Sequence, residues 1–341
     1  MTTSASGAAQ TTLAKRELGR GGPSLNPIGL GCMGLSAFYG APTPEPEAAK
    51  LVHRAIELGV DHFDTAEMYG GNEEMLGRVL EGKRDQIFLA TKFGIVVGDD
   101  GARAPSGDGS EANMRRAIEQ SLRRLKTDHV NLYYLHRPDK NRPIEETVGA
   151  MAKLVEEGKV RAIGLSEASS ENIRRGAKVH PIAAIQTEYS IFTRDIEAHV
   201  LPAIEEVGAS LVAYSPLGRG MLTGAYRGGL NLGEGDFRAG GSAPRFEGEA
   251  LEANNALVAE IEKVATEKGV APGQVALAWV LGKVPTAHVI PGTTKIKNLE
   301  SNLGAAGVVL SADDFAKLEG LAARVQGARY NAFGMAMLET D

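Results

Sequence analysis

The chain has 341 residues, 43% hydrophobic and 23% charged, with a formal net charge of −6. That is enough apolar material for two ordinary domains or one large α/β barrel. The acidic balance without a basic stripe argues against nucleic acid as a partner, no apolar run nears the ~18 residues of a membrane span, and Cys32, the sole cysteine, allows no internal disulfide and fits a cytoplasmic setting.

Residues 1–12, MTTSASGAAQTT, lack the basic start and apolar centre of a signal peptide and read as a disordered tail. Residues 13–341 read as one domain without an interrupting linker. Leu13–Gly21, ahead of the first strand, suggests a hairpin capping the bottom of the domain. Strands are expected at Pro27–Gly31, His62–Asp64, Ile87–Thr91, Leu132–His136, Val160–Leu165, Ala184–Thr187, Ser210–Tyr214 and His288–Ile290. Amphipathic runs lie between them at Glu47–Leu58, Asn113–Leu125, Ile144–Glu157, Ser169–Lys178, Ile196–Glu206 and Leu251–Lys268. Eight strands alternating with helices over about 270 residues predict a (β/α)8 barrel. Two Gly-rich segments break the rhythm, Phe93–Gly109 after the third strand and Leu217–Arg245 after the seventh. Both come directly after strands, so both are expected at the C-terminal face, where barrel active sites lie, as lids or binding loops. Ala312–Val325 adds a C-terminal helix.

GLGCMG, Gly29–Gly34, has the G-x-G-x-x-G spacing of a Rossmann phosphate loop. Its context is wrong for one. Pro42, Pro44 and Pro46 delay the next helix, and the position about 20 residues beyond Gly34, where an acidic residue belongs, falls at Arg54 and Ala55. The stretch reads instead as the end of the first barrel strand.

Chemistry-bearing residues stand at consecutive strand ends. The second strand runs into VDHFDTAEMYG, with Asp64 at its tip and Tyr69 in the loop; the third ends FLATKFG with Lys92, and the fourth LYYLHRPD with His136. In a barrel these tips share one face. A lysine ending an apolar strand is costly to desolvate unless a carboxylate pairs with it, and Asp64 on the next strand is placed to do so. The ammonium is expected to lower the pKa of Tyr69 from about 10, making the phenol a proton donor near neutral pH. The imidazole can hydrogen-bond a carbonyl oxygen. The set has no nucleophile and no metal cluster, which points to carbonyl reduction with hydride from a cofactor. Phe38, Tyr39, Met68, Phe93 and Arg137 fall on loops at this face as a substrate pocket, apolar and aromatic-edged, suited to uncharged aldehydes. Arg137 either binds an anionic group or pairs with Asp139. Cys32 has no base beside it in sequence.

FDTAEMYG at 63–70, ATKFG at 90–94, TDHVNLYYLHRPD at 127–139, IGLSEAS at 163–169, YSPLGRG at 214–220 and IPGTTKIKNLESNLGA at 290–305 occur in this order. Together they resemble the aldo-keto reductases, most closely the pyridoxal-reductase-like and YakC-like branch of aldehyde reductases. The resemblance implies NADP(H) as cofactor and a small carbonyl compound as substrate. It makes Tyr69 the general acid, Lys92 and Asp64 the pair that tunes it, and His136 the residue that orients the carbonyl. It assigns Ser166 and Gln186 to the nicotinamide carboxamide, Tyr214 to stacking on the ring, and the backbone of Gly31, Cys32 and Met33 to a place beside it. Glu167 stands where many relatives carry Asn.

Ser215, Leu217, Gly218, Arg219 and Gly220 would form the pyrophosphate loop, through exposed N–H groups. Gly292, Thr293, Thr294, Lys295 and Asn298 would surround the ribose phosphate, with Thr293 or Thr294 capping the next helix and Lys295 and Lys297 favouring NADPH over NADH. Asn302 would contact adenine. Two other readings compete. A cofactor-binding module similar to potassium-channel β-subunits would not need the full set Asp64, Tyr69, Lys92 and His136. A Schiff-base aldolase using Lys92 would not need the cofactor motifs.

Overall fold

The computed structural model describes residues 14–97, 104, 106–339 and 341. The expected tail at 1–12, the start of the expected hairpin at Leu13 and part of the loop after Phe93 lie outside the described residues. Strand β1 (Arg16–Glu17) pairs antiparallel with β2 (Ser24–Leu25). Eight further strands build the main sheet: β3 (Leu30–Gly31), β4 (His62–Asp64), β5 (Phe88–Phe93), β6 (Val130–Leu135), β7 (Val160–Ser166), β8 (Ala184–Glu188), β9 (Ser210–Tyr214) and β10 (His288–Val289). Each pairs in parallel with the next. The first and last of these strands also meet. Ile28 bridges Val289, Gly31 bridges Gly292, and Gly29 N donates to Val289 O at 2.8 Å. The sheet therefore closes into a (β/α)8 barrel.

That seam explains part of GLGCMG. A Cβ on Gly31 would stand 2.6 Å from Ile290 O, so only glycine lets the last strand lie against the first. The glycine serves barrel closure here, not phosphate binding.

Side chains along a strand alternate between two faces. Phe88, Ala90, Leu132, Tyr134, Ala184, Val212 and Ile290 point inward and pack with Leu18 and Leu25 of the hairpin. The hairpin thus plugs the barrel at the N-terminal ends of the strands, where Gly19 N donates to Ser210 Oγ at 2.8 Å. Leu89, Phe93, Tyr133, Leu135, Ile163, Leu165, Ile185 and Leu211 point outward into the layer shared with the helices.

Most helices match expectation within a few residues: Glu45–Glu57, Glu111–Leu125, Ile144–Glu156, Ser170–Ala177 and Gly248–Lys268. The expected Ile196–Glu206 begins instead as a short turn, Asp195–Glu197, before a helix at Val200–Val207. The expected Ala312–Val325 stops at Glu319, and a separate helix spans Ala332–Ala336. Two helices are additional. Asn72–Val79 comes after β4, and Pro272–Lys283 is buried on every side over Val275–Leu281, so it shows no amphipathic period. Among the described residues no helix is long and apolar enough to cross a membrane.

Candidate active site at the C-terminal mouth of the barrel

The alternation that builds the core also builds the mouth. One step above the inward layer, the inward positions are Asp64, Lys92, His136, Ser166, Gln186 and Tyr214. Five of these six side chains are buried, Tyr214 only in part. The loop after β4 is pinned to β5, with Thr65 N donating to Ala90 O at 2.9 Å and Glu67 N to Lys92 O at 3.1 Å. This returns Tyr69 over the barrel axis.

Lys92 Nζ contacts Asp64 Oδ1, donates to Thr65 O at 2.8 Å and reaches Tyr69 Oη at 3.5 Å. The Tyr69 and His136 rings meet edge to face, centroids 5.7 Å apart. Burial alone would lower the Lys92 pKa, but Asp64 and Tyr69 together outweigh it and hold the ammonium above its ordinary value. For Tyr69 burial dominates: it raises the phenol, and Lys92 offsets only part of the rise. This corrects the expected lowering. A phenol closed off from water keeps its proton, and Lys92 limits the cost of giving it up.

Gln186 Nε2 donates to Asp64 Oδ2 at 2.8 Å, so part of its hydrogen-bonding capacity already orients the ion pair. Ser166 Oγ accepts from Arg137 Nη1 at 3.2 Å. Tyr214 Oη lies 3.1 Å from Tyr330 Oη. Gly31 and Met33 reach the rim half-buried, but Cys32 turns into the outer layer and is fully buried. Its backbone N–H donates to Asp64 O and its carbonyl accepts from Asn72 Nδ2. The Cys32 side chain packs in the outer layer, and both its backbone groups bond within the protein.

The loop at 215–220 is more closed than expected. Gly218 N donates to Ser215 O at 2.8 Å, and Gly220 N and Leu222 N donate to Leu217 O. Ser215 and Arg219 take left-handed backbone conformations, with φ of 48° and 57°, which cost a non-glycine residue roughly 1–3 kcal/mol. The Arg219 side chain repays part of this by burial against Glu188: Nη2 donates to Glu188 Oε2 at 2.5 Å, Nη1 donates to Arg329 O, and the guanidinium lies 4.4 Å from the Tyr330 ring centre.

The helix after β10 runs from Ile296 to Gly304, and its N-cap is Lys295, without a side-chain cap. Thr293 Oγ1 instead accepts from Lys295 N at 3.1 Å, two residues ahead of the N-cap position. Gly292, Thr294, Lys295, Lys297 and Asn298 are exposed, and Asn302 is buried beneath them.

The pocket expectation needs one correction, at Phe93. Phe93 is fully buried and stacks on Tyr133, centroids 4.9 Å apart. Lys92 points inward, so its neighbour must point outward, into the helix layer. Charged pairs lie at the mouth beside its aromatic rings. Glu167 meets Arg329 at 3.3 Å, and Arg329 reaches Asp195 at 3.2 Å. Burial would raise the Glu167 carboxyl, but Arg329 and then Arg137 hold it below the ordinary range. Of the other pocket residues, Phe38 packs edge-on to Tyr69 and Phe237, and Tyr39 bridges Asp236. Met68 is half-buried. Sequence reasoning missed Glu188, Arg329, Tyr330, Phe237 and Asn72. Glu188 could have been found, because it ends an apolar strand just as Lys92 does.

The residues present fit a nicotinamide dinucleotide at its two ends. Ser166, Gln186 and Tyr214 offer an amide-binding and stacking set, and the uncapped helix start with two exposed lysines offers an anion site.

A model of the aldo/keto reductase family matches residues 27–323. The chain is similar to a glycerol dehydrogenase from Gluconobacter oxydans of known structure, with 29% identity over 93% of this chain and 97% of that one and a TM-score of 0.81. It is likewise similar to a thermostable aldo-keto reductase solved in complex with the inhibitor epalrestat, with 29% identity over 90% of this chain and 99% of that one and a TM-score of 0.71.

Proposed function

The chain belongs to the aldo/keto reductase family, and on that premise we propose that it reduces aldehydes and ketones with NADPH, using Tyr69 as general acid. The supporting observation is Lys92 Nζ held between the Asp64 carboxylate and Tyr69 Oη at the barrel mouth. Members of the family generally use nicotinamide cofactors. Lys295 and Lys297 at the open helix start favour the phosphorylated form. The sequence motifs most resemble those of the aldehyde reductases similar to pyridoxal reductase.

When bound, the cofactor supplies hydride to the carbonyl carbon. The protein does the rest. His136 and the Tyr69 hydroxyl hydrogen-bond the carbonyl oxygen and fix its position between them. As negative charge grows on that oxygen, Tyr69 gives up its proton. The fixed ammonium of Lys92 stabilises the phenolate left behind, in a site where burial makes that charge expensive. Asp64 keeps Lys92 charged, and Gln186 keeps Asp64 in place. Ser166 and Tyr214 would hold the carboxamide and one face of the nicotinamide.

Monitoring NADPH absorbance with nitrobenzaldehyde tests the reading. Tyr69→Phe should lower kcat by about 10²–10⁴, the usual worth of a positioned acid, while NADPH still binds in a fluorescence titration. Full turnover by the Phe variant would remove Tyr69 from its role. Tight NADPH binding with no turnover by wild type would point to a binding module.

A further inference from the structure

Among the described residues, the buried carboxylates around the barrel mouth already have cations. Asp64 pairs with Lys92, Glu188 with Arg219, Glu167 with Arg329, and Asp236 with Arg238, while Arg329 also reaches the exposed Asp195. Arg137 is different. Its guanidinium stands beside the catalytic group, where it feels Tyr69, Tyr214, Tyr330 and Glu167, yet no carboxylate lies within ion-pair distance of it among the described residues. Its Nη1 donates to two neutral oxygens, His136 O at 2.7 Å and Ser166 Oγ at 3.2 Å. Asp139, the expected partner, instead accepts from Gly109 N and faces Arg142. Glu167, the carboxylate whose field reaches Arg137, is already held by Arg329.

The two contacts at Nη1 fix the plane of the guanidinium. They leave Nε and Nη2 without a protein acceptor among the described residues, on a side chain that is only half-buried. Those two nitrogens form one edge of the guanidinium, with parallel N–H bonds spaced to meet both oxygens of a carboxylate. An anion on that open edge would take up two donors that no protein group among the described residues uses.

We propose that Arg137 is the specificity-determining residue of this site and that the preferred substrates are aldehydes or ketones bearing a carboxylate. The carbonyl oxygen sits between Tyr69 and His136, and the carboxylate, chemically unchanged in the reaction, is gripped by the Nε–Nη2 edge. The inference rests on the reductase reading and refines its substrate class.

Matched pairs of substrates test it. The three positional carboxybenzaldehydes and the three nitrobenzaldehydes are nearly isosteric and differ in charge. With NADPH, at least one carboxylate isomer should exceed its nitro partner in kcat/KM by about tenfold or more, the size of one charge-assisted hydrogen-bonded pair. The advantage should lie mainly in KM. Arg137→Met should abolish the preference, and Arg137→Lys, which keeps the charge without the fork, should retain a part of it. Thermal melts of both variants check that they fold. Carboxylates no better than their nitro partners in wild type, or a preference that survives Arg137→Met, would overturn the proposal and leave the reductase reading standing if nitrobenzaldehydes are still turned over through Tyr69. A protein that turns over no aldehyde overturns both.

Discussion

Glu188 and Arg219 show how much a single buried pair organises. Glu188 is fully buried at the end of β8, and Arg219 approaches it from a loop in which it holds a strained backbone. Glu188→Gln keeps the shape but strands the Arg219 charge. The expected loss is about 3–5 kcal/mol, read from urea unfolding, and NADPH affinity should weaken with it because the 215–220 loop loses its anchor. The rule that exposed Lys92 in the sequence, a charge ending an apolar strand, applies equally to Glu188. Its partner was not legible, because Arg219 lies on a distant loop and its contact depends on the fold. Phe93 shows the reverse: proximity to Lys92 in sequence suggested a shared pocket, while strand alternation sends adjacent residues to opposite faces.

Among the elements, the strands were the most legible. His62–Asp64 and Ser210–Tyr214 have the expected bounds, and the others shift by a few residues. Their short apolar runs and turn punctuation report local propensity, which the closed barrel reinforces. Helix Pro272–Lys283 was not legible because burial on every side over Val275–Leu281 erases the polar stripe that marks a helix. The closing seam was hidden for another reason: GLGCMG carries a familiar spacing, and only the approach of Ile290 O shows what Gly31 is for. Gly31→Ala should force the strands apart and destabilise the protein by about 1–3 kcal/mol, as overpacking does. Amide exchange at Gly29 and Val289, which bond across the seam, should speed up more than exchange within β6. Equal protection in variant and wild type would contradict this.

For the whole molecule, pH acts through the barrel's buried histidines. His62 and His288 lie inside the barrel, rings 6.3 Å apart, near Arg16, Asp61 and Lys92. Burial lowers His62 to about 4 and His288 to about 3. Unfolded, each titrates near 6.5. Well above that both states are neutral and nothing is lost. Below it only the unfolded chain takes up protons, so stability falls with pH until the folded values are reached. By about pH 5 the pair should cost roughly 4 kcal/mol relative to mildly alkaline solution, measurable as a drop in the urea midpoint. The His62→Asn, His288→Asn double variant should flatten that slope; an unchanged slope would assign it elsewhere. The seam carries a consequence for synthesis as well. It joins residues about 260 positions apart, whereas the other strand pairs join nearest neighbours in the chain. A nascent chain leaving the ribosome can zip β3 to β9 as it emerges, but it must wait with two open edges until β10 is released. The barrel's last contact is therefore its slowest, and during that wait the exposed edges are the part of the molecule most in need of a chaperone.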